Sequence, residues 1–179
     1  EAFDQAWDLV TWSLGADSRA GLLFSLGWRG LGYRGTTTEQ YNDRIAALPP
    51  YGSAGHEGNL REEQARVDYL FNSCSTVDCL FFGAYGVGSA LAPATFPTAK
   101  AAELRFDRNA VLAGFAQTWP SQTITASLQA FANSPDVRQM FMMRDVSTHR
   151  GSPPRAFHLG GPMHRKVTMP SNPKALPDQ

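Results

Sequence analysis

The sequence has no excess of charge of either sign. Its 179 residues contain sixteen acidic and sixteen basic side chains, and thirteen of the basic ones are arginine. Nonspecific binding to nucleic acid depends on neutralising many phosphates, so this neutral chain is not expected to bind RNA through a general basic surface. Any contact with RNA must be local, or be built where two copies of Arg144 and Arg150 meet in a dimer.

Cysteine is scarce, since Cys74 and Cys79 are the only two. They lie five apart on different faces of a predicted helix, form no CxxC motif and are not placed to form a disulfide. We interpret them as buried thiols of a protein in the reducing cytoplasm. The spacing of His149, His158 and His164 matches no familiar metal-ligand pattern, so we predict neither a metal site nor a cofactor.

A long uninterrupted apolar run is also lacking. The most apolar stretch, residues 79–94, has Asp78 at its edge and is interrupted by glycines and prolines. This favours a buried helix over a membrane span, and we expect no membrane partner. No signal peptide is visible at the N-terminus. At this length the chain is most simply one domain with a real core.

Apolar residues at three- and four-residue spacing predict helices along most of the chain. The longest, of about 27 residues, follows a capping box formed by Asn59 and Glu62 and is the expected central helix. Three glycines near its end, at positions 83, 86 and 88, could permit close helix packing. The predicted helices span residues 3–14, 18–26, 38–48, 59 to about 87, 99–119, 121–132 and 135–150.

Between the second and third predicted helices lies the stretch GWRGLGYRG, residues 27–35. Its glycines and aromatics predict an irregular loop with anchoring aromatic side chains. The alternative is a segment whose aromatic and arginine side chains stack on and neutralise RNA.

The last two predicted helices have clear starting signals. Ser121 is expected to cap the first of them. Ser134 is a natural N-cap for the second, Pro135 suits its first position, and Gly151 can close its C-terminus. A connection of two or three residues predicts that these two helices pack as antiparallel neighbours.

The fold class predicted from these patterns is all-α, an up-and-down helical bundle with a long central helix. The bundle is expected to comprise residues 1–151. Residues 152–179 are expected to form a C-terminal extension, in which 156–159 and 166–169 could pair as a small β-hairpin and the proline-rich end from Pro170 is disordered.

The helix 135–150 carries the most distinctive group of side chains. Val137, Met140 and Phe141 mark its buried face, and the next position on that face is Arg144. A charge therefore stands where an apolar residue is expected.

Asp145 and His149 are four residues apart, so this carboxylate can hold one ring nitrogen of the histidine and leave the other free. Arg144 and His149 lie roughly 140° apart around an ideal helix of 3.6 residues per turn. The two can meet at one phosphate only through the long arginine side chain or with the help of a second chain.

An arginine, a polar residue, three more residues and a histidine, late in a helical domain, resemble the R-x(4-6)-H motif of the HEPN superfamily. Arg144 matches the motif arginine, Asp145 the polar position and His149 the motif histidine. The resemblance implies that these three are catalytic, with Ser147 and Arg150 as lesser polar neighbours that bind substrate.

The function implied by the resemblance is that of a metal-independent endoribonuclease. Members of the superfamily are small helical bundles that commonly form homodimers, and the active cleft lies between the two copies. RNA is then the substrate, and a toxin or defence role implies a cognate antitoxin or regulatory protein as a further partner.

A second hypothesis is a non-catalytic helical binding or interaction module. In it the cluster of Arg144, Asp145 and His149 either holds the bundle together or binds an anionic ligand. The two hypotheses differ in the exposure that they require, because a catalytic histidine must line an open cleft and a structural one should be enclosed and hydrogen-bonded.

Overall fold

The computed structural model describes residues 2–15, 18–48, 55–98 and 107–149. Within these ranges the chain is helical and contains no strand, which confirms the predicted all-α bundle with a long central helix. The six helices are α1 (Ala2–Leu14), α2 (Arg19–Ala46), α3 (Gly55–Leu91), α4 (Arg108–Thr118), α5 (Thr123–Ala132) and α6 (Pro135–His149).

Helix α2 overturns the prediction of a loop at residues 27–35 with a short helix on either side. It runs without interruption for 28 residues from its N-cap Ser18, whose hydroxyl accepts a hydrogen bond from the Gly21 amide. Each glycine inside a helix costs up to about 1 kcal/mol relative to alanine. Two of the four glycines at 27–35, Gly27 and Gly30, lie against α3, where an added Cβ would collide with Gly83 or Cys79, whereas a Cβ on the other two would meet no atom within 4 Å.

Helices α2 and α3 pack as an antiparallel pair with unusually close backbones. A Cβ added to Gly27 would lie 2.6 Å from the Cα of Gly83, and one added to Gly86 would lie 2.5 Å from the amide nitrogen of Phe24. Farther along the pair, Arg34 donates a hydrogen bond to Asn72. The expected use of glycines for close helix packing is therefore observed, and both helices supply them.

Helix α3 begins at Gly55 and extends for 37 residues, so the prediction that Asn59 caps a helix of about 27 residues is wrong. Asn59 lies in the first turns. The buried Glu62 carboxylate accepts hydrogen bonds from Nε and Nη2 of Arg66 at 3.0 and 2.7 Å, an i,i+4 pair within the helix.

The hydrophobic core lies where α3 meets the last three helices. Phe96, which follows α3, is its centre, with ring centroids of Phe115 at 5.3 Å and Trp119 at 6.0 Å. Gly88 and Gly114 both lie directly against the Phe96 ring, where any side chain would collide with it. The helices around this ring also bury Phe81, Val111, Leu128, Val137 and Phe141.

The starting points of the last helices agree only partly with the sequence prediction. Helix α6 begins at Pro135, and the Ser134 hydroxyl accepts a hydrogen bond from the Val137 amide, as predicted. Helix α5 begins at Thr123 after Gln122, so Ser121 is not its N-cap. The extension 152–179, with its proposed hairpin and disordered end, lies outside the described residues.

Among the described helices, α3 alone is long and apolar enough to cross a membrane by length and composition. Core helices of soluble proteins meet the same two criteria. Only 39% of its most apolar window is buried within the bundle.

Candidate functional site

Helix α6 carries all but one of the residues singled out by the motif. Its buried apolar side chains are those of Val137, Phe141, Met143 and Val146, and the first two belong to the hydrophobic core. Arg144 lies on the same helix face as Val137 and Phe141, and 32% of its side chain is exposed.

Arg144 joins α6 to α3. Its Nη1 lies 3.7 Å from Oδ2 of Asp78, and its Nη2 donates a hydrogen bond to Oδ1 of Asp145 at 3.2 Å. Its guanidinium carbon lies 4.8 Å from the centroid of the Phe141 ring. The charge that replaces an apolar residue on this helix is thus met by two carboxylates and an aromatic face.

The structure brings Asp145 to Arg144. The sequence predicts Asp145 as the partner of His149. In the structure one carboxylate oxygen of Asp145, Oδ1, accepts a hydrogen bond from Arg144. His149 is the last residue of α6, but its side chain lies outside the described residues, as does the whole of Arg150. Ser147 is half-buried in the same turn. The catalytic roles of Arg144, Asp145 and His149 and the binding roles of Ser147 and Arg150 stay predictions.

Arg108 is a second guanidinium at this site, and sequence reasoning missed it. It is the first residue of α4, after the N-cap Asp107, and its guanidinium carbon lies 3.8 Å from the centroid of the Phe141 ring. Its Nη1 is buried and has no hydrogen-bond partner within the described ranges. The Asp-Arg-Asn sequence at 107–109 is a recognisable helix start, but nothing local indicates that this arginine reaches the face of α6.

Asp78 is the acidic member of the site on α3. Burial raises the pKa of its carboxyl above the usual range, although Arg144 and, to a smaller extent, Arg108 favour the charged form and oppose this effect. Asp107 adds a small contribution in the same direction as burial. Desolvation therefore outweighs the two arginines here.

We refer to Asp78, Arg108, Phe141, Arg144 and Asp145 as the arginine clamp. It contains two guanidiniums and two carboxylates, so its formal charge is balanced. It joins α3, α4 and α6 around one aromatic ring. Within the described residues, no group of three or more histidine, cysteine, aspartate and glutamate side chains is placed to hold a metal ion.

A second feature is an apolar groove between the α2–α3 pair and α5, with a volume of about 360 Å³. No charged side chain is among the described residues that line it. The polar groups among its lining side chains are the Ser127 hydroxyl, the Cys79 thiol and the indole N–H of Trp28. The largest side chains that line it are those of Phe24, Trp28, Leu31, Leu80, Ile124 and Phe131.

Comparison of the chain with protein-family models, curated proteins and solved structures yields no match. The site must therefore be interpreted from its own geometry.

Proposed function

We propose that this protein is a non-catalytic helical binding module in which the arginine clamp holds the bundle together. The observation that carries the proposal is the engagement of Arg144 by Asp78, Asp145 and the Phe141 ring. An arginine that binds a scissile phosphate needs its donors directed at the substrate. Here Nη2 donates a hydrogen bond to Asp145, and Nη1 lies 3.7 Å from the Asp78 carboxylate.

The charge of the surroundings supports the same function. The carboxylates of Asp78 and Asp145 offset the attraction that Arg108 and Arg144 would exert on a phosphate. The formal charge of the whole chain is zero, so there is no general field to draw in RNA. A cluster with no net charge, whose side chains join three helices, is suited to fixing the positions of those helices.

An RNA cleavage assay tests this proposal. Structured and unstructured RNAs are incubated with the wild-type protein and with His149→Ala, with EDTA present throughout. The matched control is His56→Ala, which changes an exposed histidine on α3 far along the chain from the motif. We expect no cleavage by any of the three proteins. Cleavage by the wild type and by His56→Ala that is lost in His149→Ala would overturn the proposal.

The second candidate is a HEPN-like, metal-independent endoribonuclease that acts as a homodimer in the cytoplasm. The observation that favours it is that α6 carries both Arg144 and His149 and leaves about a third of the Arg144 side chain exposed. His149 would then move protons while an RNA 2'-hydroxyl attacks the adjacent phosphorus, giving a 2',3'-cyclic phosphate and a free 5'-hydroxyl.

In that case Arg144 must exchange its carboxylate partners for the phosphate, and a second copy must complete the cleft. The products distinguish this candidate in the same assay, because the 2',3'-cyclic phosphate resists direct ligation and is detected after its enzymatic removal. A cognate antitoxin or other regulatory protein is the further partner that this candidate implies.

A further inference from the structure

The apolar groove is separate from the arginine clamp. It lies on the other side of α3 from the clamp, where Trp28 and Leu31 of α2 face Ile124 and Phe131 of α5. Ile124 and Phe131 are both well exposed, although they are large apolar side chains. Water in contact with such a wall gains few hydrogen bonds, so an apolar occupant would be favoured.

The lining of the groove defines the chemistry of that occupant. A charged or strongly polar group inside it would lose its hydration and find no ionic partner. Ser127, Cys79 and Trp28 offer only one hydroxyl, one weakly polar thiol and one indole N–H. The part of a ligand that enters the groove must therefore be uncharged and apolar.

The size of the groove limits the occupant further. A stable protein–protein interface buries about 800 Å² on each partner, and the apolar wall of this groove supplies only a small fraction of such an area. Its volume of about 360 Å³ is near the lower end of the roughly 300–1,000 Å³ found for small-molecule sites. A small molecule fits these dimensions better than a partner protein or a second copy.

We infer that the groove binds a single aliphatic chain of a small amphiphile, with the head group left in solvent. At ~30 Å³ per water, and with a methylene group close to water in size, the volume corresponds to roughly ten to twelve carbons. This inference rests on the proposed function of a binding module, because it names the class of ligand that the module takes. None of the residues that line the groove belongs to the clamp.

The test uses Cys79 as a reporter of groove occupancy in the full chain. Burial raises the pKa of the Cys79 thiol, an effect opposed by Arg34 and reinforced by Asp78, so labelling with the uncharged reagent iodoacetamide is done at mildly alkaline pH. The probe is 1-decanol, and 1-butanol is its short control. We expect decanol to slow alkylation of Cys79 by about tenfold or more and butanol to have little effect.

Cys74 provides an internal control, because it is buried in the core and away from the groove. A ligand that binds the folded chain at any site slows the labelling of Cys74, which requires unfolding, but only a ligand in the groove also shields the partly exposed Cys79. Protection of Cys79 at least as strong as that of Cys74 therefore supports the inference. Protection of Cys74 without protection of Cys79, or protection of neither thiol, overturns it.

Two exposed positions on α5 give a matched pair of variants. Ser127→Asp places a carboxylate in the groove wall, whereas Ala130→Asp places the same charge on the same helix outside it. We expect Ser127→Asp to raise the decanol concentration for half-protection by about tenfold and Ala130→Asp to leave it nearly unchanged. An equal effect of the two variants counts against the groove as the binding site.

These outcomes are independent of the RNA assay. Failure of decanol to protect Cys79 removes the assigned ligand and leaves the clamp intact as an explanation of Arg144. Cleavage of RNA that depends on His149 removes the binding-module function whether or not decanol binds. A dimer that dissociates in Ser127→Asp and persists in Ala130→Asp, measured by sedimentation, would identify a second copy as the occupant and overturn the inference.

Discussion

Gly27 and Gly83 lie against each other at the crossing of α2 and α3, but the contact is not symmetric. A Cβ on Gly27 would lie 2.6 Å from the Cα of Gly83, whereas a Cβ on Gly83 would meet nothing closer than 3.8 Å. We therefore expect Gly27→Ala to destabilise the protein by about 1–3 kcal/mol, because the two backbones would have to separate. Urea denaturation followed by circular dichroism measures this change.

The control for that prediction lies in the same contact. Gly83→Ala introduces its methyl group at an ordinary contact distance and improves helix propensity, so it should be neutral or stabilising by up to about 1 kcal/mol. Gly32→Ala serves as an exposed control on α2, where an added Cβ meets no atom within 4 Å. If all three variants changed the free energy of unfolding by the same amount, the steric argument would be contradicted.

Arg144→Ala should lower the free energy of unfolding by about 1–2 kcal/mol, because it removes both a partly exposed ion pair with Asp78 and the contact of the guanidinium with the Phe141 ring. Arg138→Ala is the matched control, since Arg138 is an exposed arginine on the same helix. Its effect should stay within about 0.5 kcal/mol.

The partner of Arg144 can be tested separately in a double-mutant cycle with Asp78→Asn. The Nη1–Oδ2 distance of 3.7 Å and the partial exposure of both side chains indicate a coupling free energy of about 0.2–1 kcal/mol. Strict additivity of the two substitutions would show that the ion pair contributes nothing and that the loss in Arg144→Ala comes from its other contacts.

Asp78 should make stability depend on pH in the direction opposite to that of an ordinary salt-bridged carboxylate. Burial raises the pKa of Asp78 in the folded state, with Arg144 and Arg108 opposing it. Below the unfolded-state pKa the carboxyl is protonated in both states and its contribution to stability is fully present. That contribution is lost as the pH rises through the higher folded-state pKa.

The measurement is the difference in the free energy of unfolding between wild type and Asp78→Asn across the acidic range. This difference removes the contributions of the other carboxylates. The wild type should lose stability relative to the variant as the pH rises. A relative gain would mean that the pKa of Asp78 is lowered in the folded protein and that the arginines outweigh desolvation.

The two cysteines should differ sharply in reactivity. Burial raises the pKa of the Cys74 thiol to about 11, with Arg144 as the main opposing influence. Near neutral pH, iodoacetamide should modify Cys79 well before Cys74, and peptide mass spectrometry separates the two. Low concentrations of urea should accelerate the labelling of Cys74 in parallel with unfolding. Similar rates for both thiols in the folded protein would show that Cys74 is not enclosed.

The sequence predicts those parts of the fold that local chemistry determines. The N-cap at Ser134 and the start of α6 at Pro135 follow from neighbouring residues, and both are observed. Helix α2 does not follow, because its glycines are locally unfavourable, and the close packing of Gly27 and Gly30 against α3 involves residues far along the chain. The apparent capping box at Asn59 fails for a related reason, since the Glu62 carboxylate pairs with Arg66 inside a helix that has already begun.

The candidate site shows the same division. Helical periodicity predicts that Arg144 lies on the buried face of α6, where its charge replaces an apolar side chain. Its partner Asp78 and its neighbour Arg108 belong to other helices, and only tertiary packing brings them together. The pattern therefore identifies a residue that needs a partner without identifying the partner.

Phe96 gives the break after α3 an unusual property. Breaks between helices are normally the places where a chain tolerates cuts, insertions and new termini. Here the ring of Phe96 is held between Gly88 and Gly114 and lies almost parallel to Trp119, with an angle of 9° between the rings. A tag, a protease site or a circularly permuted terminus placed within residues 92–97 would pull this ring out of the core, so this turn is as poor a site for engineering as the helices beside it.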